Sequence, residues 1–423
     1  MKLPFHTTTR ILLALLSAAT IGLTLAWLAP ETGARAAAVA QPIGKLWLNA
    51  LQMTVVPLVG TLVILGIAAA SDAAASGRLA RRAIVIFLLL LTIGATFAAI
   101  AAPAFLSLMP HSPELMEAFK GTIGQTPIAA APKAADWITG IIPSNVIAAA
   151  AASAMLPLVV FSLFFGFAMT RLEDDKRRRL LELVQTISEV MITIVRWVLV
   201  VAPIGIFALV LAVTAEAGAA TLQALGIYIL MLVVLYLVIT ALLYPLIRIW
   251  TGRPLLQYAN AIFPAQAVAM STQSSLASLP SMIEVGSRRL GIPLATVSLV
   301  IPMAVSLFRL TSPIQYIGVA AFVAWAFNVE ITALQWASVI PLAVVVSLGS
   351  VGLPGQVSFM ATNMPVTQAL GLPVEPLGLL LAVDTVPDIF ATLGNVSADV
   401  GAAAIVDGGN HPPLAHEQTP PLA

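Results

Sequence analysis

The stretch Leu379–Val406, LLLAVDTVPDIFATLGNVSADVGAAAIV, decides how the rest of the chain is read. It is apolar enough to cross a bilayer, yet it carries Asp384, Asp388 and Asp399. Offsets of 4, 8, 11 and 15 residues from Asp384 place Asp388, Thr392, Asn395 and Asp399 along one side of a helix of 3.6 residues per turn. Ionisable side chains inside a membrane span are costly and face protein or water, so such a stripe marks a functional site by default. The competing structural reading is a polar seam that satisfies broken backbone in neighbouring elements.

Working outward, the whole chain shares this apolar character. Its 423 residues are 60% hydrophobic and 9% charged, too few charges to coat a water-facing surface of that size. The chain is therefore an all-α polytopic membrane protein. A formal net charge of +1 excludes a nucleic-acid partner held by a large basic field, and no cofactor is expected. With no Cys there is no disulfide, iron–sulfur cluster or thiolate zinc site. His6, His111, His411 and His416 lie near the termini or in one loop, which excludes a zinc-protease helix and leaves Ser274 or Ser275 without an intramembrane His base. No Lys lies within an expected span to form a Ser–Lys pair, so a membrane enzyme is disfavoured.

A helix needs about 20 apolar residues to cross the bilayer core. Spans are expected at 11–29, 43–70, 81–108, 146–170, 183–213 and 221–249, all as ordinary helices. Beyond residue 255 the segments 256–289, 292–327, 332–371 and 375–406 are interrupted by Ser, Thr, Gly and Pro, and are expected to be broken or re-entrant. The first span has too long an apolar run for a signal peptide and reads as an uncleaved helix. With the N-terminus inside, fourteen Lys and Arg fall in cytoplasmic segments and four outside, which places both termini in the cytoplasm. The run Glu173–Arg179 reads as a solvated cytoplasmic loop, and Arg196 as a snorkelling side chain or a partner of Glu189. The tail 408–423, with its Pro pairs, reads as disordered.

Two interruptions matter most, Ser271–Pro280 (STQSSLASLP) and Gly349–Gly355 (GSVGLPG). Non-helical backbone at membrane depth occurs where it is buried or lines a cavity, and paired interruptions point to a transporter binding site. Helix N-termini at such tips favour a carboxylate. Arg309, in FRLTSP, is either a cation of the binding region or an ion-pair partner for the aspartates.

The residues resemble the dicarboxylate/amino acid:cation symporter family. The resemblance is carried by Gln52–Leu58 (QMTVVPL), Ile142–Asn145 (IPSN), Leu156-Pro157, Gly166–Ala168, Ala202–Ala208 (APIGIFA), the two interruptions, and the spacing Asp384, Asp388, Thr392, Asn395, Asp399. It implies eight transmembrane helices plus two re-entrant hairpins, built as inverted repeats and working as an elevator, in a homotrimer embedded in the bacterial inner membrane. The implied scaffold is 1–80 (helices 1–2) and 146–218 (helices 4–5). The implied transport domain is 81–145 (helix 3 and its loop) and 219–407. By matching positions, Asp388 binds a substrate amino group beside Thr392 and Asn395. Ser274 and Ser275, with the backbone of Val351, Gly352, Leu353, Pro354 and Gly355, hold the α-carboxylate. Arg309 and Ser312 complete the substrate set, and Asp384, Asn395 and Asp399 line a cation site for Na+ or H+.

Two departures qualify that picture. The family's seventh-helix Asn-Met-Asp-Gly-Thr aligns with Phe308-Arg309-Leu310-Thr311-Ser312. Phe308 and Leu310 offer no side-chain oxygen to a hard cation. A guanidinium about 4 Å from that cation adds a repulsion of roughly 4 kcal/mol at an effective dielectric near 20. Loss of at least one sodium site is therefore expected, with Arg309 standing in for a cation. Secondly, Ala391 and Gln273 replace arginines that acidic-substrate or other members carry, so a second substrate carboxylate would lack a partner. A neutral, amine-bearing substrate is expected; the alternative is a C4-dicarboxylate or acidic amino acid held by Arg309, with proton coupling or none. An anion channel and a non-transporting sensor are the rival classes.

Overall fold

A computed structural model describes residues 7–110, 140–349 and 355–408. The expected hairpin-2 tip residues Val351 to Pro354 and nearly all of the expected disordered tail lie outside the described residues. Among the described residues the structure is helical, without strands.

In chain order the helices are α1 (Thr7–Leu28), α2 (Pro30–Gln52), α3 (Val55–Ala75), α4 (Arg78–Leu106), α5 (Val146–Ala151), α6 (Met155–Met169), α7 (Asp174–Val200), α8 (Ala202–Ala217) and α9 (Ala219–Thr251). There follow α10 (Leu255–Thr272), α11 (Ser275–Glu284), a π turn (Val285–Arg289), α12 (Leu294–Leu307), α13 (Thr311–Ala326), α14 (Ala333–Gly349), α15 (Gly355–Ala369), α16 (Leu377–Val383) and α17 (Thr385–Asp407). Among the described residues six helical stretches, α2–α3 counted as one, are long and apolar enough to cross a membrane, and α12–α13 is one of them.

The expectation of six ordinary helices before residue 255 needs correction. Breaks at Met53-Thr54, Ala152–Ala154 and Val201 divide the second, fourth and fifth spans. Each break precedes a proline (Pro57, Pro157, Pro203), which donates no backbone hydrogen bond and fits the first turn of a restarted helix. The run Glu173–Arg179 is also no loop. It opens α7, where Asp174 and Asp175 complement the positive end of the helix dipole. Arg177 there reaches across to pair with Asp72 at the end of α3. Glu189 accepts from Gln185 at 3.1 Å, and Arg196 is exposed with no ion pair to Glu189 among the described residues.

Burial separates centre from periphery. In its most apolar stretch α17 is 83% buried, against 22% for α7. Four elements surround α17: α9, α10, α11 and α12 all pack on it, with α4 and α13 completing the ring. At the other side α1 and α2 pack on α8, while α3 packs on α6 and α7. The sequence reason is the small-residue stripe of α17 (Gly394, Ala398, Gly401, Ala402), which lets neighbours approach to backbone distance. A Cβ at Gly394 would lie 2.7 Å from Thr311 and 2.9 Å from Thr240.

Candidate functional site

The site is built where the chain stops being helical at depth. Between α12 and α13 the residues Phe308–Leu310 leave the helix, and Phe308 is extended (φ −127°, ψ 113°). Apolar side chains hold that break from one side. Phe308, fully buried, stacks on Phe87 of α4 with ring centroids 4.9 Å apart and planes 7° from parallel. Leu310 packs against Gly94, where a Cβ would meet its side chain at 3.1 Å. Such an offset aromatic pair contributes about 1 kcal/mol beyond its buried area.

From the other side α17 supplies polar groups. The freed Thr311 N–H donates to Asn395 Oδ1 at 3.0 Å, and Thr311 Oγ1 donates to the Ala391 carbonyl at 3.2 Å. One turn on, Gln315 Nε2 donates to Asp384 Oδ1 at 2.8 Å. Thr392 Oγ1 donates to the Asp388 carbonyl at 2.9 Å, which leaves its lone pairs as acceptors. The expected stripe is present, with one modification: Asp384 sits at the junction of α16 and α17, because Pro387 provides no N–H to continue the ladder. Thr392, Asn395 and Asp399 are buried at 3%, 1% and 1% exposure, and Asp388 is half-buried.

Asp399 Oδ1 and Oδ2 and Asn395 Nδ2 are buried and have no hydrogen-bond partner among the described residues. Arg309 is half-buried within electrostatic range of Asp384, Asp388 and Asp399, and among the described residues it makes no ion pair within 4 Å. Ser312 is buried, and its N–H closes a turn on the Arg309 carbonyl at 3.0 Å.

The first interruption folds into a helical hairpin of α10 and α11. Gln273 adopts the left-handed region at its tip (φ 51°), and Ser274 caps α11 by accepting from the Ala277 N–H at 3.2 Å. The N–H groups of the first turn, from Ser275 on, are thereby presented at the tip, and α11 packs on α17. Tyr258 OH donates to the Ser397 carbonyl at 3.0 Å, and Gln266 Nε2 donates to Ser397 Oγ at 2.8 Å, tying α10 to α17. The second interruption joins α14 to α15; Gly355 opens α15, and Gly349 at the end of α14 touches the α3 backbone.

Thr311, Gln315, Gln266 and Tyr258 were not among the expected site residues. The signal for Thr311 and Gln315 is their separation of four, an i,i+4 polar pair directly after a break, which aims both at one neighbour.

A buried acidic stripe, a broken helix against it and a capped hairpin tip beside it define a membrane carrier with a polar site at depth. The chain belongs to the sodium:dicarboxylate symporter family, whose family model matches residues 8–408. It is similar to the C4-dicarboxylate transport protein of Anaeromyxobacter sp. (strain K), 30% identical over 377 residues, 88% of this chain and 83% of the relative. It is also similar to the proton/glutamate-aspartate symporter of Escherichia coli (strain K12), 26% identical over 375 residues, covering 88% and 85%. A third relative, the proton/sodium-glutamate symport protein of Bacillus caldotenax, is 27% identical over 379 residues, covering 88% of each chain. These relatives are transporters rather than enzymes, and the chain is accordingly read as a symporter-family secondary transporter in the membrane.

Proposed function

We propose that this chain moves a neutral, amine-bearing amino acid across the bacterial inner membrane by an elevator motion. The supporting observation is the α17 stripe. Asp388 offers a half-buried carboxylate for an ammonium group, Thr392 offers lone pairs beside it, and the capped tip at Ser274 and Ser275 offers N–H groups for the α-carboxylate. Ser312, the hairpin-2 residues Val351 to Gly355, and Asn395 complete the substrate set by resemblance. Ala391 is buried at 6% exposure and has no charge to offer a second substrate carboxylate.

The two hairpins support the elevator reading. Hairpin 2 (α14–α15) packs on α3, α6 and α7 of the proposed scaffold of 1–80 and 146–218, and equally on α4 and α13 of the proposed transport domain, so it lies between the two. Hairpin 1 (α10–α11) packs extensively on α17, α9, α12 and the π turn, elements of the proposed transport domain. With both termini cytoplasmic, the base of hairpin 1 between Arg253 and Arg289 faces the cytoplasm. A homotrimer follows from the family resemblance.

A second reading has its own support. The three relatives above are named for glutamate, aspartate or C4-dicarboxylates, and Arg309 has no ion pair among the described residues, so it is positioned to take a distal carboxylate. Proteoliposome counterflow with labelled neutral amino acids, acidic amino acids and C4-dicarboxylates separates the readings. Neutral amino acids are expected to exchange saturably. Exchange confined to acidic substrates and lost in Arg309→Ala establishes the second reading; ohmic, unsaturable flux establishes a channel instead.

A further inference from the structure

The family's sodium ion is cargo, and the residues present here do not fit it. A hard cation needs converging oxygens. Among the described residues no group of three acidic or His side chains gathers closely enough to hold a metal ion. Asn395 is the clearest obstacle. Its Oδ1 accepts the Thr311 N–H at 3.0 Å, and only the oxygen of an amide can accept from an N–H, so its orientation is fixed by chemistry. Oδ1 thus has one lone pair committed to the Thr311 N–H, and Nδ2, a donor, is buried and without a partner among the described residues. Asp384 is engaged by another amide donor, Gln315 Nε2. Phe308 and Leu310, which could have lent side-chain oxygens from the break, are turned into α4 against Phe87 and Gly94.

Near the carboxylates stand one amide donor, Gln315 on Asp384, and one full positive charge. Asp399 is 1% exposed with both oxygens unpartnered, and a buried carboxylate in that condition needs a cation. Arg309 is rooted two residues before Thr311, whose two hydrogen bonds clamp the break onto α17 between Ala391 and Asn395. Its guanidinium lies in the field of Asp384, Asp388 and Asp399 together. We propose that Arg309 is a tethered counter-cation: it neutralises the α17 carboxylates in place of a travelling sodium ion, so sodium neither binds nor moves with substrate. This deepens the transport reading above and rests on it for what is carried.

The test does not depend on knowing the substrate. Thermal unfolding of the purified full-length chain is measured in choline chloride and in LiCl, NaCl or KCl at equal ionic strength. The native chain is expected to show no shift specific to a small cation. Arg309→Met, which keeps length and removes charge, is expected to gain a saturable rise of a few degrees with one of the three. Arg309→Met combined with Asp399→Asn is expected to lose that gain. A saturable sodium-specific shift in the native chain overturns the proposal, and so does an Arg309→Met variant that folds and gains nothing. The native arm needs no variant and stays decisive if Arg309→Met fails to fold. Counterflow of the native chain is expected to run equally in sodium and in choline; absence of saturable counterflow in both would remove the transport reading while leaving the unfolding result to judge Arg309.

Discussion

The two hairpins share a design and differ in what they lean on. Hairpin 1 is fastened by polar bonds. Gln266 and Tyr258 hold α10 to Ser397, Ser274 caps α11, and the buried Arg253 donates to the Leu290 carbonyl across the hairpin base. Burial lowers the Arg253 guanidinium from its ordinary value, and the nearby Asp407 carboxylate works against that shift. What the described residues of hairpin 2 show is close backbone packing. Gly349 sits where a Cβ would fall 2.4 Å from the Leu62 carbonyl oxygen, and at the same crossing a Cβ on Gly66 would fall 3.0 Å from the Gly349 nitrogen. Directional bonds keep one partner; close packing without directional bonds permits one surface to slide over another. In the proposed elevator, hairpin 1 belongs to the body that travels as a unit and hairpin 2 to its seam.

The largest expected effect breaks the seam. Gly349→Leu places a branched side chain into the α3 backbone, a clash with no flexible partner, and overpacking of this kind costs about 1–3 kcal/mol. Counterflow is expected to fall by more than tenfold, whereas Ser275→Ala at the other hairpin is expected to lower apparent substrate affinity with the maximal rate kept. Equal losses of rate at both sites would dissolve the contrast. A second, smaller effect concerns the fastening itself. Gln266→Leu removes bonds to Ser397 and Tyr244 and is expected to destabilise the chain by about 1–2 kcal/mol, read as a lower unfolding midpoint. Arg253→Met removes the bond across the hairpin base and is expected to cost about 1 kcal/mol, by the same measurement. The last effect is a labelling pattern, cleanly readable because the chain has no Cys. Leu276→Cys, at a position 61% exposed on hairpin 1, is expected to react with maleimide, and Leu342→Cys, at a position 3% exposed on hairpin 2, is expected to be protected. Reversal of that pattern under an imposed substrate gradient would sharpen the contrast into two positions of one elevator.

Composition made the class of the molecule plain, because a chain with so few charges has one solvent open to it. The α17 stripe was legible too, since carboxylates four and eleven residues apart stand out against alanine and valine. Both interruptions announced themselves through Ser, Gly and Pro. The breaks before Pro57, Pro157 and Pro203 were harder to see, because single prolines are tolerated inside membrane helices and only tertiary packing decides which of them restarts one. Least legible was the outcome at the α12–α13 break. The substitutions there suggested a missing cation site, but which way the Asn395 amide faces depends on the Thr311 N–H, a long-range partner that no local pattern specifies. The stack of Phe308 on Phe87 is equally invisible in one dimension.

That stack bears on how this chain could diverge from its present state. Replacing Phe308 with Asn alone would press an amide against the face of the Phe87 ring. An oxygen ligand at position 308 would therefore require the stack to be unmade first. The aromatic stack thus commits one side of the break to an apolar neighbour and leaves the polar face of α17 to set the chemistry of the other.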